Sequence, residues 1–402
     1  MLSTTTYYDG TVNARPQGTP RGSIRQLNLA EVVRLLHFEG PLSRAALTER
    51  TGLNRSTIAD LIAQLGTWTL VTEREPDTAR GVGRPSPIVS LSPATVAIAV
   101  NPEVDALTIG AIGLDRAIIV RDRVPHDTVP TPAETAALIA EKVSEWRSGP
   151  LALSRIVGIG LAVPGLVRAS DGLVRDAPHL GWRDVPLAEV VAAATELAVS
   201  VGNDATLGAL AEHLFGAARG IDHAIYLNGG ASGIGGGLII GGMPVAGAGG
   251  YAGEFGQNRP GIAHEHDRRA PGGVLEDEVS RARLLEVLQL TDADEPTLAT
   301  ALTEATGAVV AVEVTRQRGI LTTALANAVN VINPSVVVLG GFLATLAGMD
   351  LEGLTAAVRH QAMPASGENL QIRAASLAEN RLLIGAAESA FARLLDDPSR
   401  AS

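Results

Sequence analysis

The chain has 402 residues, 46% of them hydrophobic, no cysteine and a formal charge of −11. That length exceeds one ordinary core and predicts two or three domains, while the missing thiols exclude disulfides, redox centres and thiolate nucleophiles. The longest apolar runs, such as residues 336–339, are too short to span a bilayer, and the polar N-terminus lacks the basic and apolar regions of a signal peptide, so a soluble, cytoplasmic protein without a membrane partner is expected. Charge is uneven: residues 21–90 carry nine Arg against seven acids, and residues 91–402 carry 22 basic residues against 35 acids. A mildly basic front on an acidic body permits a nucleic-acid-binding head, although a solvated surface would give the same imbalance.

Residues 1–20 show no apolar period and carry Pro and Gly, which reads as a flexible arm. From residue 23, Ile24, Leu27, Leu29, Val32, Val33, Leu35 and Leu36 recur at helical spacing until Gly40 and Pro41 stop the run. A short helix over 43–50 follows, with Ser43 as N-cap and Gly52 at its end. A third is capped by Asn54 or Ser56 and lays Leu53, Ile58, Leu61, Ile62 and Leu65 on one face. Two short helices joined by a glycine-containing turn form a helix-turn-helix, which places its second helix in the DNA major groove. The outward face of that helix carries Arg55, Ser56, Thr57, Asp60 and Gln64, residue types that reach base edges or phosphates. Segments 70–73 and 88–91 alternate like paired strands around the tip RGVGRP (80–85), a wing whose Arg84 suits a narrow minor groove. The candidate DNA contacts are therefore Ser43, Arg44, Asn54, Arg55, Ser56, Thr57, Gln64 and Arg84. The plainer alternative is a three-helix scaffold that only packs on the body.

Beyond Pro93 the pattern becomes α/β. Strands are predicted at 96–100, 117–120, 156–162, 224–227, 238–240 and 336–339, and helices at 132–146, 187–197, 205–215, 280–290, 296–311 and 321–331. No repeat of 20 to 50 residues is found. Two α/β lobes with a small-molecule cleft between them are expected.

Seven segments taken in order, VGIGLAVPGLV (157–167), APHLGWRDVPL (177–187), VGNDATLGAL (201–210), SGIGGGLIIGG (232–242), GAGGYAGEFG (247–256), GGVLEDEVS (272–280) and INPSVVVLGG (332–341), together resemble the ROK family of sugar kinases and sugar-responsive repressors. The front, SRAALTERTGLNRSTIADLI followed by GRP, resembles the winged helix-turn-helix of the family's repressors. The resemblance implies a two-lobed, ribonuclease-H-like and actin-like sugar-kinase fold behind a winged head. The division would be an arm at 1–20, a DNA-binding domain at 21–91 and a sugar-binding domain at 92–402, with lobes split near 201 and the C-terminal helix returning to the first lobe. It further implies that Asn203, Asp204, Glu254, Gln257 and Glu276 face a sugar, Asp204 standing where the family's kinases keep the base. Carboxylates that accept two hydroxyl hydrogen bonds, beside amides that donate and accept, can discriminate sugar stereoisomers. Helix capping or surface ion pairs are the bland roles for the same residues.

Where the family's kinases carry a D-x-G-x-T phosphate loop, this chain reads Asn101-Pro102-Glu103-Val104-Asp105. Two carboxylates would face polyphosphate, a repulsion of several kcal/mol at an effective dielectric of ~20, and Pro102 removes a backbone donor. SGIGGG (232–237) could cradle a phosphate, but such turns serve close packing as often, and the only lysine, Lys142, belongs to no P-loop. No catalytic residue is therefore expected. The expected molecule is a regulator, most simply a repressor, that binds double-stranded operator DNA as a homodimer or homotetramer and takes a sugar or sugar phosphate as effector, closing of the cleft shifting the two heads. An active ROK sugar kinase with a fused head, and a DNA-binding oligomer indifferent to ligands, are the alternatives.

In the family, segment 253–280 would hold a structural zinc on one His and three Cys. Counting back from Gly273, those positions are here Gln257, Asp267, Arg269 and Val274. No metal and no cofactor are expected, although His264 and His266, two apart, leave open a shifted site with Glu265 or Asp267.

Overall fold

The computed structural model describes residues 21–75, 86–230, 233–262, 265–291 and 293–401. Helix α1 (Arg21–Glu39) leads into a two-residue strand β1 (Leu42–Ser43), then α2 (Arg44–Thr51) and α3 (Arg55–Thr67). The caps explain the breaks. Ser43 accepts from the Ala46 amide and Gly52 takes a left-handed φ of 69° at the end of α2; Asn54 accepts from the Thr57 amide at the start of α3. Leu29, Val32, Val33, Leu36, Leu47, Ile58, Leu61, Ile62 and Leu65 form the core of the head. Ile24 and Leu27, read as part of the same apolar face, are instead 50% and 61% exposed. Strands β2 (Val71–Arg74) and β3 (Ile88–Leu91) pair antiparallel, and β1 adds to the far edge of β3. The tip between them, with Arg84, lies outside the described residues.

Next come β4 (Thr95–Pro102), β5 (Ala106–Gly113), β6 (Ile118–Pro125), α4 (Pro132–Arg147) and β7 (Arg155–Val163). A small sheet of β8 (Leu166–Val167), β9 (Val174–Ala177) and β10 (Trp182–Val185) precedes α5 (Leu187–Thr195) and β11 (Val199–Asn203). Then follow α6 (Asp204–Phe215), β12 (Ala224–Gly229), β13 (Ile234–Ile240), β14 (Met243–Pro244), α7 (Leu275–Glu278), α8 (Arg281–Leu288), α9 (Glu295–Glu304) and α10 (Ala308–Ile332). The chain closes with β15 (Val336–Gly341), α11 (Phe342–Gly348), α12 (Leu351–Gln361), α13 (Pro364–Gly367), β16 (Gln371–Ala374) and α14 (Arg381–Asp396).

By contacts the chain separates into two units. One comprises the described part of Met1–Leu161 with Pro186–Val201 and Ala386–Ser402; the other comprises Ala162–Val185 and Gly202–Gly385. The first holds the head and a sheet in the order β11-β7-β4-β5-β6, and the second a sheet in the order β14-β13-β12-β15-β16. Numbered along the chain, both read 3-2-1-4-5, with a hairpin on one side and parallel strands on the other. The duplication is one of topology, which is why no sequence repeat betrays it.

In the first unit α1 is fastened to α14. His37, 1% exposed, has Nδ1 at 2.6 Å from the Leu114 carbonyl and Nε2 at 3.0 Å from both oxygens of Glu388, also 1% exposed. Arg34 pairs with Asp396 and Gln26 donates to Asp397. A Cβ at Gly160 would stand 1.8 Å from the Ala386 carbonyl, so α14 lies directly on β7. In the second unit one apolar core joins β12, β13 and β15 to α7 through α12. The single helix expected at 296–311 is two: Ala305 to Gly307 break it, and α9 and α10 meet at 119°. No single helix among the described residues is long and apolar enough to cross a membrane.

Candidate functional site

The candidate sugar ligands all fall within the second unit. Asn203 caps α6: its Oδ1 accepts from the Thr206 amide at 2.9 Å, and its Nδ2 donates to the Gly165 carbonyl at 3.0 Å and to Asp204 Oδ1 at 3.2 Å. Asp204 opens the helix and accepts from the Ala205 amide at 2.8 Å. Burial pushes its carboxyl up to about 6 against that bond, and the charge of Glu254 adds to the rise. Glu254 is itself raised, by partial burial and then by Glu276. On α7, Glu276 accepts from the Ile234 amide at 3.2 Å and from the Gln257 side chain.

The glycines of β13 explain how these groups come together. A Cβ at Gly235 would sit 2.7 Å from that of Ala205, and one at Gly237 2.5 Å from that of Ala209, so α6 rests on bare backbone. In the run 232–237, legible either as a phosphate cradle or as close packing, Gly235 and Gly237 pack α6, while Gly233 faces Glu276 and Gly236 faces the Gly253 carbonyl and Phe255. Asp204, raised in part by Glu254, and Glu254, raised in part by Glu276, form beside the two amides a site with an excess of acceptors. Sugar hydroxyls relieve it by donating hydrogens, whereas a phosphate group set directly among these carboxyls would not.

On the head, the residues expected to meet DNA divide into two groups. Arg44 forms a forked pair with Glu73 of β2, tying α2 to the root of the wing. Gln64 accepts from Arg25 of α1 at 2.7 Å, and Asn54 is occupied as the cap of α3, taking the Ser56 hydroxyl as well. Arg55 is exposed at the first turn of α3. Ser43 is both the cap of α2 and a member of β1.

The ROK family model matches residues 98–392. The chain belongs to the ROK family. Among ROK relatives, a putative xylose repressor of Caldicellulosiruptor sp. (strain Rt8B.4) is 26% identical over 93% of this chain and 98% of its own length. The DNA-binding transcriptional dual regulator NagC of Escherichia coli (strain K12) is 27% identical over 90% and 92%. Of solved structures, a ROK family transcriptional regulator described as a homolog of the E. coli MLC protein superposes with a TM-score of 0.73 at 22% identity, covering 93% of this chain and 97% of that one. A ROK family glucokinase from Streptomyces griseus in complex with glucose and AMPPNP gives 0.57 at 24%, covering 73% of this chain and 98% of that one. The fold is thus the two-lobed ribonuclease-H-like one that ROK regulators and sugar kinases share.

The four ROK zinc positions do not suit a zinc ion here. The Val274 side chain has no donor atom and is buried, 8% exposed. Arg269 brings a cation and donates to the His266 carbonyl, while Gln257 is engaged with Glu276. No cluster of three or more His, Asp or Glu that could hold a metal occurs among the described residues, and His264 lies outside them.

Among the buried charges that sequence reasoning missed, besides the His37–Glu388 pair, are two groups. Arg381, at the start of α14, donates to Asn228 Oδ1 (3.0 and 3.2 Å) and to Glu295 (3.0 Å), and its charge reaches Asp204. An Arg at the head of an amphipathic helix reads as surface, so nothing in the pattern marks it. The second group is Glu278, Glu313, Arg316 and Gln317, all at most 8% exposed. Polar residues inside an apolar helical run, as in α10, are the signal that could have found it.

Proposed function

We propose that the protein is a sugar-responsive transcriptional regulator, acting as a repressor. It binds double-stranded operator DNA through α3 and the wing, as a homodimer or homotetramer, and a sugar or sugar phosphate through Asn203, Asp204, Glu254, Gln257 and Glu276. The observation that carries this reading is coverage: the regulators align over 90% to 93% of this chain, whereas the glucokinase aligns over 73% of it. Arg55, exposed on the first turn of α3 with Ser56 and Thr57 beside it, would read the DNA.

Kinase activity is not part of the reading. The segment in the place of the phosphate loop is a tight hairpin between β4 and β5, closed by the Glu103 amide on the Ala106 carbonyl at 2.8 Å. Burial pushes the Glu103 carboxyl above its usual range while Thr108 donates to it, and Asp105 pairs with Arg123. That turn presents carboxylates and a proline where polyphosphate needs amides.

The test is fluorescence anisotropy of the full chain on DNA from its own upstream region, titrated with xylose, N-acetylglucosamine and their phosphates. One of them should lower the DNA affinity by about tenfold or more. DNA affinity unmoved by any sugar would sink the sensor reading, and ATP-dependent sugar phosphorylation lost in Asp204→Asn would establish a kinase instead.

A further inference from the structure

We propose that a buried Glu278–Arg316 lock holds the loop bearing Gln257 and Glu276 in the place of a bound zinc, so that this regulator orders its sugar site without metal. The inference rests on the sugar-site reading for its consequence, but not for its geometry.

Glu278 is fully buried, and its carboxylate accepts from the Arg269 amide at 2.9 and 3.0 Å, from the Ala270 amide at 2.9 Å and from Arg316 Nη1 at 2.9 Å. Arg316 uses its whole fork. Nη1 also donates to the Asp267 carbonyl (3.0 Å), Nη2 to the Glu278 carbonyl and to Glu313 (both 2.7 Å), and Nε to Glu313 (3.0 Å). Those are five bonds from the five N–H groups that a guanidinium has. Gln317 completes the grip, donating to Glu313 (2.8 Å) and to the Ser280 carbonyl (3.1 Å) and accepting from the Ser280 amide (3.1 Å). Helix α10 thereby holds the loop at Asp267, Arg269, Ala270, Glu278 and Ser280, a span that includes three of the four positions a zinc would have joined.

The coupling to the sugar site is short. Glu276 and Glu278 share the single turn of α7, and Leu275 beneath them is 1% exposed. With the carboxylate and carbonyl of Glu278 fixed, the turn is fixed, and Glu276 is aimed at the Ile234 amide and Gln257. Glu278 and Arg316 are positioning residues: they act through Glu276. A lone buried ion pair is weak evidence of stability, but one with every donor engaged is a device for holding a single conformation.

The test is hydrogen exchange by mass spectrometry on the full, untagged chain, with and without EDTA, for the native protein, Glu278→Gln and Arg316→Met. EDTA should leave protection over 265–280 unchanged. Each variant should speed exchange there and at Ile234 by about tenfold or more, with α4 and β4 of the other unit as unchanged internal controls. Arg316→Lys, which keeps the charge and loses the fork, should restore part of the protection. Whichever of xylose or N-acetylglucosamine binds the native chain should bind Glu278→Gln at least about fivefold more weakly. Loss of protection on EDTA alone, or variants that exchange like the native chain, would overturn the lock. If the whole second unit exchanges faster in Glu278→Gln, the comparison passes to Gln317→Met, which should loosen only the Ser280 end; no change there would also overturn it. Exchange as expected with no sugar bound would leave the lock standing and remove the sensor reading instead.

Discussion

Asp204 holds its proton to about pH 6 in the folded chain and loses it near 3.8 when unfolded. Between those values the native state binds more protons, so this group subtracts stability progressively as pH rises from 4 to 6, and the full penalty remains at pH 7. Asp204→Asn should therefore stabilise the ligand-free protein at pH 7.5 by about 1–2 kcal/mol, discounted for partial exposure, and by almost nothing at pH 4. Urea melts at the two values check the sign, and equal effects at both would refute the assignment. Arg55→Ala should weaken DNA binding and lower the slope of log K against log salt by about one if the guanidinium meets a phosphate; unchanged slope with relaxed sequence preference would mean a base contact. Local setting was legible where the chain's own pattern decides it, as at Asn203 and Asp204, which stand at the start of the helix expected from 205. It was not legible where the partner is remote: nothing near Arg44 in the chain announces Glu73, and nothing near Glu278 announces Arg316.

Helices and strands were legible wherever their own residues decided them. Ser43 and Gly52 bounded α2 to within a residue, and of the two caps open for α3, Asn54 and Ser56, Asn54 is the one used, because capping is a local bond. The break between α9 and α10 was hidden, since Ala305-Thr306-Gly307 interrupts an apolar rhythm that continues on both sides. The two-residue β1 and the small β8–β9–β10 sheet exist through pairing, which no single segment encodes. Asn54→Ala should cost about 1 kcal/mol in thermal or urea unfolding through loss of the cap, and Asn54→Asp should restore most of it; if DNA affinity stays low in Asn54→Asp, the amide touches DNA as well. At the seam of α1 and α14, Glu388→Ala leaves His37 facing a void and should destabilise the first unit by about 3 kcal/mol or more, whereas Glu388→Gln should cost less. A melt showing no difference between the two variants would remove the pair from the joint.

The molecule as a whole carries −11, yet it is expected to grip a polyanion. Salt screens the repulsion between the acidic body and DNA but displaces the head's phosphate contacts, so DNA affinity should fall with salt through those contacts while sugar affinity, directed by hydrogen bonds, should hardly change between 50 and 300 mM. The two sites lie in different units, and thermodynamics makes their influence mutual: whatever factor a sugar takes from DNA affinity, DNA must take from sugar affinity. Paired titrations giving unequal factors would mean that the sugar acts somewhere other than on this equilibrium. The sequence reading divides the lobes near residue 201 and returns the C-terminal helix to the first; by contacts the unit that carries the head is assembled from three stretches, the second being Pro186–Val201 and the last beginning at Ala386. That order has a consequence during biosynthesis. The DNA-binding head emerges first, but Glu388, Asp396 and Asp397, on which α1 is seated, follow only after Gly202–Gly385 has been made, roughly 15–60 s after the head at ordinary elongation rates. A nascent or prematurely terminated chain would thus carry a head without its seat, and DNA would be offered a finished reader only once the sugar-sensing unit was already in existence.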